Sequence, residues 1–246
     1  TRLASSRLPN KVLLDIAGKP MLQHVYERSI ESGAETVIIA AEDDKVARAA
    51  EAFGARVCMT SDLHNSGTER LAEVVDALEL EDNDIVIGVQ ADEPLIAPQA
   101  ICSLADDLAE YQNLKVASLC QPLQDSKELF DPNVVKVVLN KRSHAVYFSR
   151  APIPWDREGF KEGDNYTITG PYYRHIGIYA YRKQFLMEYS NLPVSPLEKT
   201  EKLEQLRILE NGFQIKVVET RYDSIGVDSQ SDIELIEKQL AMSPKI

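Results

Sequence analysis

Three cations stand close together near the start of the sequence, at Arg2, Arg7 and Lys11. They belong to a short polar stretch, TRLASSRLPNKV, that precedes the first predicted helix. Guanidinium groups pair with phosphate oxygens and an ammonium group acts as a point charge, so this loop suits a di- or triphosphate. A solvated basic segment is the alternative, and charge counting does not separate the two. The Pro9-Asn10 pair predicts a turn in which asparagine takes a left-handed conformation.

Two carboxylates from distant parts of the chain are candidates to act with these cations. Asp92 follows a strongly apolar predicted strand, residues 84–90, and Asp228 directly precedes the last predicted helix. Ligands of open α/β sheets bind beyond the carboxyl ends of the strands, and two carboxylates there suit a magnesium ion that bridges phosphate oxygens. The alternatives are a strand-terminating turn residue for Asp92 and a helix N-cap for Asp228.

Other candidates stand in the middle of the chain. The four histidines lack metal-ligand spacing, but His175 shares an aromatic segment with Tyr179. Arg150 and Arg157 flank a proline-rich turn and are suited to bind a carboxylate, with a surface salt bridge as the alternative.

The composition narrows the function classes. With 246 residues, 44% of them hydrophobic, the chain can form one large or two intimately joined domains. A formal net charge of −12, from 39 acidic residues, argues against general binding to nucleic acid or anionic membranes. The 3 cysteines show no CxxC spacing, which fits a reducing compartment. No apolar run reaches the roughly 18–20 residues of a membrane span and no signal peptide is recognisable, so we expect a cytoplasmic protein.

Hydrophobic periodicity predicts alternating strands and helices that would position these residues. Strands are predicted at 36–40, 56–59, 84–90, 116–119 and 214–219, and helices at 21–33, 43–53, 66–78, 101–108, 182–192, 198–210 and from 229. From about residue 121 the pattern becomes β-rich, with a predicted hairpin at 133–140 and 145–149. We interpret this part as an inserted antiparallel lobe that covers the site.

Several separated segments are together typical of one family: RLASSRLPNKVLLDIAGKPML, CMTSDLHNSGTERLAEV, VQADEPLI, NVVKVV, YFSRAPIPWDR, YRHIGIYAYR, EKLEQLRILENG and GVDSQSDIE. They resemble the bacterial 3-deoxy-manno-octulosonate (KDO) cytidylyltransferases, also called CMP-KDO synthetases, in unbroken order over nearly the whole chain. The family's opening strand would lie upstream of Thr1.

The resemblance implies an α/β class and a Rossmann-like nucleotide-diphospho-sugar transferase fold, in which helices flank a mixed central sheet and a smaller antiparallel lobe is inserted. It implies a single nucleotidyltransferase domain over residues 1–246, whose β-rich lobe at about 121–181 contributes to the sugar site and to a dimer contact. The implied reaction transfers CMP from CTP to the anomeric hydroxyl of KDO, giving CMP-KDO and pyrophosphate for lipopolysaccharide core synthesis, with magnesium as cofactor. Its partners would be CTP, KDO and a second copy of the chain, without nucleic acid or membrane.

Site residues are carried over from the resemblance by motif. The catalytic set is Lys11, Arg2 and Asp92, of which Lys11 would stabilise charge on the leaving pyrophosphate. The CTP-binding set is Arg2, Ser5, Arg7, Lys11, Ser66, Gly67, Thr68, Arg70 and Asp92. The sugar-binding set is Gln90, Arg150, Arg157, His175, Tyr179, Glu204 and Gln205. The magnesium ligands would be Asp92 and Asp228.

Three positions depart from the family pattern. Asn10 and Ala91 replace glycines and Val12 replaces a proline. Asparagine tolerates a left-handed turn at modest cost, whereas a methyl group at Ala91 would shift Asp92 if that position needed a positive φ.

Three other functions are weighed against this one. A cytidylyltransferase for another acid sugar, a sialic acid or an amino-KDO, would share the nucleotide half, but the segments YRHIGIYAYR and EKLEQLR favour KDO. A glycosyltransferase of related fold would normally show a DxD-like pair, and Asp92-Glu93-Pro94 has no second aspartate two positions on. A non-catalytic binding protein would not need Lys11 and Asp92, and both are present.

Overall fold

The computed structural model describes residues 8–64, 66–160, 166–222 and 225–242. After a 3-10 turn at Lys11–Leu13, the elements in chain order are β1 Asp15–Ile16, β2 Lys19–Pro20, α1 Met21–Glu31, β3 Ile38–Ala41, α2 Asp44–Ala52, β4 Arg56–Met59, α3 Gly67–Asp76, β5 Ile85–Gly88, α4 Pro98–Glu110, β6 Val116–Pro122, α5 Ser126–Phe130, β7 Lys136–Leu139, β8 Ala145–Ser149, β9 Tyr173–Arg182, α6 Lys183–Tyr189, α7 Pro196–Glu201, α8 Gln205–Glu210, β10 Lys216–Glu219 and α9 Gln230–Met242. The chain divides into two compact units. Unit 1 contains the described residues of Thr1–Leu80, Ile87–Ser103 and Tyr222–Ile246; unit 2 contains those of Glu81–Val86 and Leu104–Arg221.

Unit 1 is built around the parallel pair β3 and β4, in which Ile38 lies opposite Arg56. Helix α2 begins where the Asp43 carboxylate accepts a hydrogen bond from the Lys45 N–H at 2.7 Å, an N-cap that satisfies one of the unpaired donors of the first turn. Apolar residues of β3, α1 and α2 pack into one core: Val12, Leu22, Ile39, Ala41, Val46, Ala47, Ala50 and Ala55. A second core packs the C-terminal helix α9 against the start of the chain: Ile16, Met21, Val227, Ile233 and Ile236.

Unit 2 contains a mixed sheet with the strand order β10, β6, β9, β7, β8, and β5 also pairs with β9. Strands β10 and β6 are parallel, whereas the β6–β9, β9–β7 and β7–β8 pairs are antiparallel. The predicted hairpin is confirmed by β7 and β8. Asn140 starts their connection, because its side-chain oxygen accepts hydrogen bonds from the N–H groups of Arg142 and His144. The lobe expected at about 121–181 lies within this unit, whose limits are wider.

One predicted helix is divided in two. Residues 198–210 were expected to form a continuous helix, but α7 ends at Glu201 and α8 begins at Gln205. Between them Lys202 takes a left-handed conformation with φ of 56°, which interrupts the helical hydrogen-bond ladder. The corner that results places the predicted sugar residues Glu204 and Gln205 at the start of a new helix.

Within the described ranges, every helix is too short or too polar to cross a lipid bilayer.

Candidate active site

A tight turn positions Lys11 at the start of the described chain. The Lys11 N–H donates to the Leu8 carbonyl at 3.2 Å, with Pro9 and Asn10 as the two central turn residues. Asn10 has φ of 57°, so the left-handed turn predicted there is confirmed. Proline before a residue of positive φ is the pattern of a type II turn. The turn leads directly into the 3-10 segment that carries Lys11.

The Lys11 ammonium joins three separated parts of unit 1. Its Nζ lies 2.7 Å from Asp92 Oδ2, 2.6 Å from the Val227 carbonyl oxygen and 3.4 Å from Asp228 Oδ1. The lysine side chain is only 12% exposed, so its charge is largely removed from water. Three residues chosen from the sequence for their chemistry therefore meet at one point.

Backbone contacts fix both carboxylates around this point. The Val227 N–H donates to the Asp92 carbonyl at 2.9 Å, which ties the turn after β5 to the segment before α9. On the other side, the Asp232 carboxylate accepts hydrogen bonds from the N–H groups of Asp228 and Ser229. Burial raises the pKa of Asp232, but these hydrogen bonds outweigh it and the pKa is lowered overall. Asp232 thus holds the backbone of Asp228 at the start of α9.

The Ala91 departure does not strain this arrangement. The described non-glycine residues with positive φ are Asn10, Ala17, Ser143 and Lys202, and Ala91 is not among them. Its methyl group packs against the apolar core of unit 1.

The donor set at this point fits magnesium. Asp92 and Asp228 supply hard carboxylate oxygens, and magnesium in phosphate-binding sites is held by one or two carboxylates together with substrate phosphates. One ammonium faces two carboxylates, so the three side chains keep a net negative charge. The described residues include no group of three or more His, Cys, Asp or Glu side chains arranged as a metal site, so substrate oxygens would have to complete the coordination.

The predicted cytidine residues form the first turns of α3. The Ser66 hydroxyl accepts a hydrogen bond from the Glu69 N–H at 3.1 Å and caps the helix, which begins at Gly67. Thr68 is buried at 2% exposure.

Arg70, predicted with this group, is buried as well. Its guanidinium donates to the Glu42 carboxylate, the Thr60 hydroxyl and the Ser61 carbonyl. Arg70 therefore fixes α3 to the ends of β3 and β4.

Of the remaining predicted residues, Arg2, Ser5 and Arg7 lie outside the described part of the chain. Gln90 is exposed and belongs to unit 1, whereas the other six predicted sugar residues belong to unit 2.

His175 and Tyr179 lie on β9. The His175 Nε2 is 2.8 Å from the hydroxyl oxygen of Ser118, whose own proton is directed to the Ile178 carbonyl at 2.9 Å, so the ring nitrogen is the donor. Burial lowers the pKa of His175 to about 3, so the ring is neutral near pH 7. It is suited to hydrogen bonding rather than to carrying a charge.

The Tyr179 hydroxyl is buried and has no hydrogen-bond partner in the described part of the chain. Burial, together with nearby Tyr181, Glu204 and Tyr189, raises its pKa well above the ordinary value. A buried hydroxyl without a partner costs free energy, and a ligand hydroxyl would satisfy it.

The two predicted carboxylate-binding arginines differ. Arg157 is exposed on its loop. Arg150 donates from Nε to the Glu201 carbonyl at 2.8 Å and from a terminal nitrogen to the Pro132 carbonyl at 2.9 Å. Both acceptors are uncharged, so the positive charge is not neutralised by them.

Glu204 and Gln205 start α8, which a buried ion pair fixes against α7. Arg207 binds Glu198 through two hydrogen bonds of 2.8 and 2.6 Å and lies over the Tyr189 ring. Glu198 also closes a capping box with Ser195.

Sequence reasoning missed three polar residues of this region: Ser118, Lys136 and Glu201. Lys136 is fully buried, with its ammonium on the carbonyls of Asp131 and Val134, and burial lowers its pKa. A lysine within the apolar run NVVKVV was the available signal, since a charge inside a buried strand needs dedicated partners.

Comparison with known proteins identifies the family. The family model described as Cytidylyltransferase matches residues 1–219. The 3-deoxy-manno-octulosonate cytidylyltransferase of Coxiella burnetii is 54% identical over 236 residues, which cover 96% of this chain and 95% of that protein. The enzyme of the same name from Haemophilus influenzae is 50% identical over 244 residues, covering 98% and 96%.

Solved structures agree with this and confirm the predicted fold class. The structure of CMP:2-keto-3-deoxy-manno-octonic acid synthetase complexed with CTP has a TM-score of 0.89 at 42% identity, covering 98% of this chain and 95% of that one. A Bacillus anthracis protein described as a glucose-1-phosphate thymidylyltransferase shares the fold, with a TM-score of 0.64 at 15% identity over 96% and 88% of the two chains. The chain belongs to the 3-deoxy-manno-octulosonate cytidylyltransferase family.

Proposed function

We propose that this protein transfers CMP from CTP to the anomeric hydroxyl of KDO and releases pyrophosphate, giving CMP-KDO for lipopolysaccharide core synthesis. Besides family membership, one observation carries the proposal: Lys11, Asp92 and Asp228, which come from three distant segments, converge within hydrogen-bond reach. A protein that only packs a core has no need of two carboxylates around one largely buried ammonium.

Charge placement is the main requirement of this reaction. The KDO hydroxyl oxygen attacks the α-phosphorus, the bond from that phosphorus to the β-phosphate oxygen breaks, and the hydroxyl proton leaves to solvent. Lys11 stabilises the negative charge that develops on the leaving pyrophosphate. Asp92 and Asp228 would hold magnesium, which would supply positive charge to the phosphate oxygens of CTP.

In unit 2 the sugar is held by contacts of two kinds. The guanidinium contacts of Arg150 within the described residues are to two backbone carbonyls, which leaves other N–H donors to bind the sugar carboxylate. Tyr179 and neutral His175 would hydrogen-bond sugar hydroxyls, and Glu204 is near enough to Tyr179 to raise its pKa. Gln205, next in the chain, is assigned to the same role by motif. Because His175 is neutral, it adds no second positive charge to this pocket.

Two further proposals concern assembly and compartment. Trp155 is 64% exposed and packs edge-on against Phe160, so the aromatic lobe offers an apolar surface that a second copy would cover in a homodimer. Light scattering of the purified protein tests this.

The described cysteines form no disulfide, and a cytoplasmic location supplies both reduced thiols and CTP.

The activity is tested by measuring pyrophosphate release with CTP and magnesium in three reactions: with KDO, with a sialic acid and without sugar. Release that requires both CTP and KDO, with CMP-KDO found by mass spectrometry, is the expected result. Release with the sialic acid but not with KDO would overturn the proposed substrate. If no pyrophosphate is released with either sugar, the proposed reaction is overturned.

A further inference from the structure

Glu201 is the last residue of α7 and accepts hydrogen bonds from a neighbouring strand end. One of its carboxylate oxygens accepts from the Ser149 hydroxyl at 2.6 Å and the other from the Arg150 N–H at 3.0 Å. Burial and the nearby Glu201 carboxylate raise the pKa of Tyr147, a residue of the same strand. Ser149 is buried, so this carboxylate fixes the end of β8 to the end of α7.

The backbone of Glu201 then orients the Arg150 guanidinium. The Glu201 carbonyl accepts from Arg150 Nε at 2.8 Å, so one residue holds the arginine through both its backbone N–H and its side chain. A guanidinium has five N–H donors, and two of them are used in the described part of the chain, by Glu201 and Pro132. The other donors can bind a planar carboxylate in fork geometry.

The second anchor of the guanidinium is fixed independently. Its acceptor, the Pro132 carbonyl, lies in the turn whose Asp131 and Val134 carbonyls bind the buried Lys136 ammonium. Arg150 is thereby held at two points by backbone oxygens of different elements. Only one of these anchors, Glu201, is continuous with the corner that begins α8.

The position of Glu201 in the chain gives this contact its functional meaning. Glu204 lies three positions after Glu201 and Gln205 lies four positions after it, beyond the left-handed Lys202. Any displacement of Glu201 therefore moves Arg150 relative to the two residues that would contact the sugar hydroxyls. Replacing it would disturb both halves of the acid-sugar pocket together.

We infer that Glu201 is a positioning residue that sets the guanidinium of Arg150 against the start of α8, and so determines affinity for the carboxylate of the sugar. This inference rests on the proposed function for the identity of the sugar. It assigns Glu201 no contact with CTP, so its loss acts on one substrate only.

The kinetic test compares Glu201→Gln and Glu201→Ala with Glu210→Gln, whose exposed carboxylate accepts the Leu197 N–H on the same helix pair. We expect the Glu201 variants to raise KM for KDO by on the order of tenfold while KM for CTP changes by less than about twofold. Glu201→Ala should add less than about twofold in an Arg150→Met background, because the two residues act as one unit. The inference would be overturned if KM rose equally for KDO and CTP. It would also be overturned if Glu201→Ala raised KM for KDO as much in the Arg150→Met background as in the wild type.

A measurement without substrate separates this inference from the proposed function. In 15N NMR spectra, exchange of the Arg150 Nε–H proton, assigned by its loss in Arg150→Lys, should be slow in the wild type and in Glu210→Gln. It should be at least about tenfold faster in Glu201→Ala, which keeps the acceptor carbonyl but loses the carboxylate that fixes this carbonyl to the end of β8. Unchanged exchange would overturn the positioning role even if KDO is the substrate. Faster exchange would support it even if the wild type used another acid sugar.

Discussion

Lys11 Nζ and Asp92 Oδ2 lie 2.7 Å apart although 81 positions separate them in the sequence. The same ammonium also lies between Asp92 and Asp228, the two proposed magnesium ligands. The lysine thus lies within ion-pair distance of both carboxylates that we propose as ligands of the metal. If Asp92 and Asp228 hold magnesium, we expect the Lys11 ammonium and the metal to compete for these carboxylates.

The first prediction concerns this lysine. Lys11→Met should lower turnover by about 10²–10³-fold, because charge on the leaving group is no longer stabilised. It should also tighten binding of Mn²⁺ to the nucleotide-free protein, since two carboxylates lose their cation. Pyrophosphate release and Mn²⁺ titration by EPR measure the two effects. Lys19→Met, which removes a half-exposed lysine paired with Glu27, is the control; weaker Mn²⁺ binding in Lys11→Met would contradict the idea.

The second prediction concerns the metal ligands. Asp92→Asn should weaken Mn²⁺ binding by at least about tenfold and abolish turnover, because a neutral amide is a poor ligand for a hard cation. Removing the metal with EDTA should stop the wild-type reaction, and added Mg²⁺ should restore it. Asp62→Asn changes an exposed aspartate of the same unit and should leave both readings unchanged. Full activity of the wild type in EDTA would exclude the metal.

The third prediction follows from neutral His175. Its folded-state pKa of about 3 lies below the ordinary 6.5, so the unfolded chain binds one more proton between these values. Stability from this residue is complete above pH 6.5 and declines as the pH falls toward 3, by up to about 1.4 kcal/mol per unit. Urea unfolding of the wild type and His175→Gln between pH 7 and about 5 measures the difference in slope. Parallel slopes would show that the histidine is not held neutral.

The fourth prediction concerns the ion pair behind the sugar residues. Arg207 is 3% exposed and Glu198 is 12% exposed, so Arg207→Met leaves a desolvated carboxylate. We expect a loss of about 3 kcal/mol in the free energy of unfolding. Lys183→Met breaks a pair whose Asp82 partner is 66% exposed, and should cost less than about 1 kcal/mol. Similar losses in the two variants would refute the distinction.

Local rules predicted much of this structure because short-range signals decide it. Proline before Asn10 specified the turn that carries Lys11, and two β-rich runs joined by a short polar connection specified the β7–β8 hairpin. The break at Lys202 escaped prediction because a lysine has no intrinsic preference for the left-handed conformation that tertiary contacts impose there.

In the candidate site too, the sequence predicts some features, whereas others depend on tertiary contacts. Residue types and motifs were sufficient to predict Lys11, Asp92 and Asp228 as site residues. The direct contact of the lysine with both carboxylates could not be predicted, because it depends on the pairing of distant segments. Glu201 could not be nominated, because its partners on β8 are some fifty positions away and its carboxylate looks like any solvated helix residue. Only the three-dimensional contact distinguishes it.

The discontinuous course of unit 1 has a consequence for synthesis on the ribosome. The Lys11 ammonium needs the carbonyl of Val227, 216 positions later, while unit 2 supplies most of the residues translated in between. A nascent chain can therefore complete the sheet of unit 2 before the cluster around Lys11 can close. Fragments that stop before Asp228 should be partly folded but inactive. Activity should therefore appear only after nearly the whole chain has been translated.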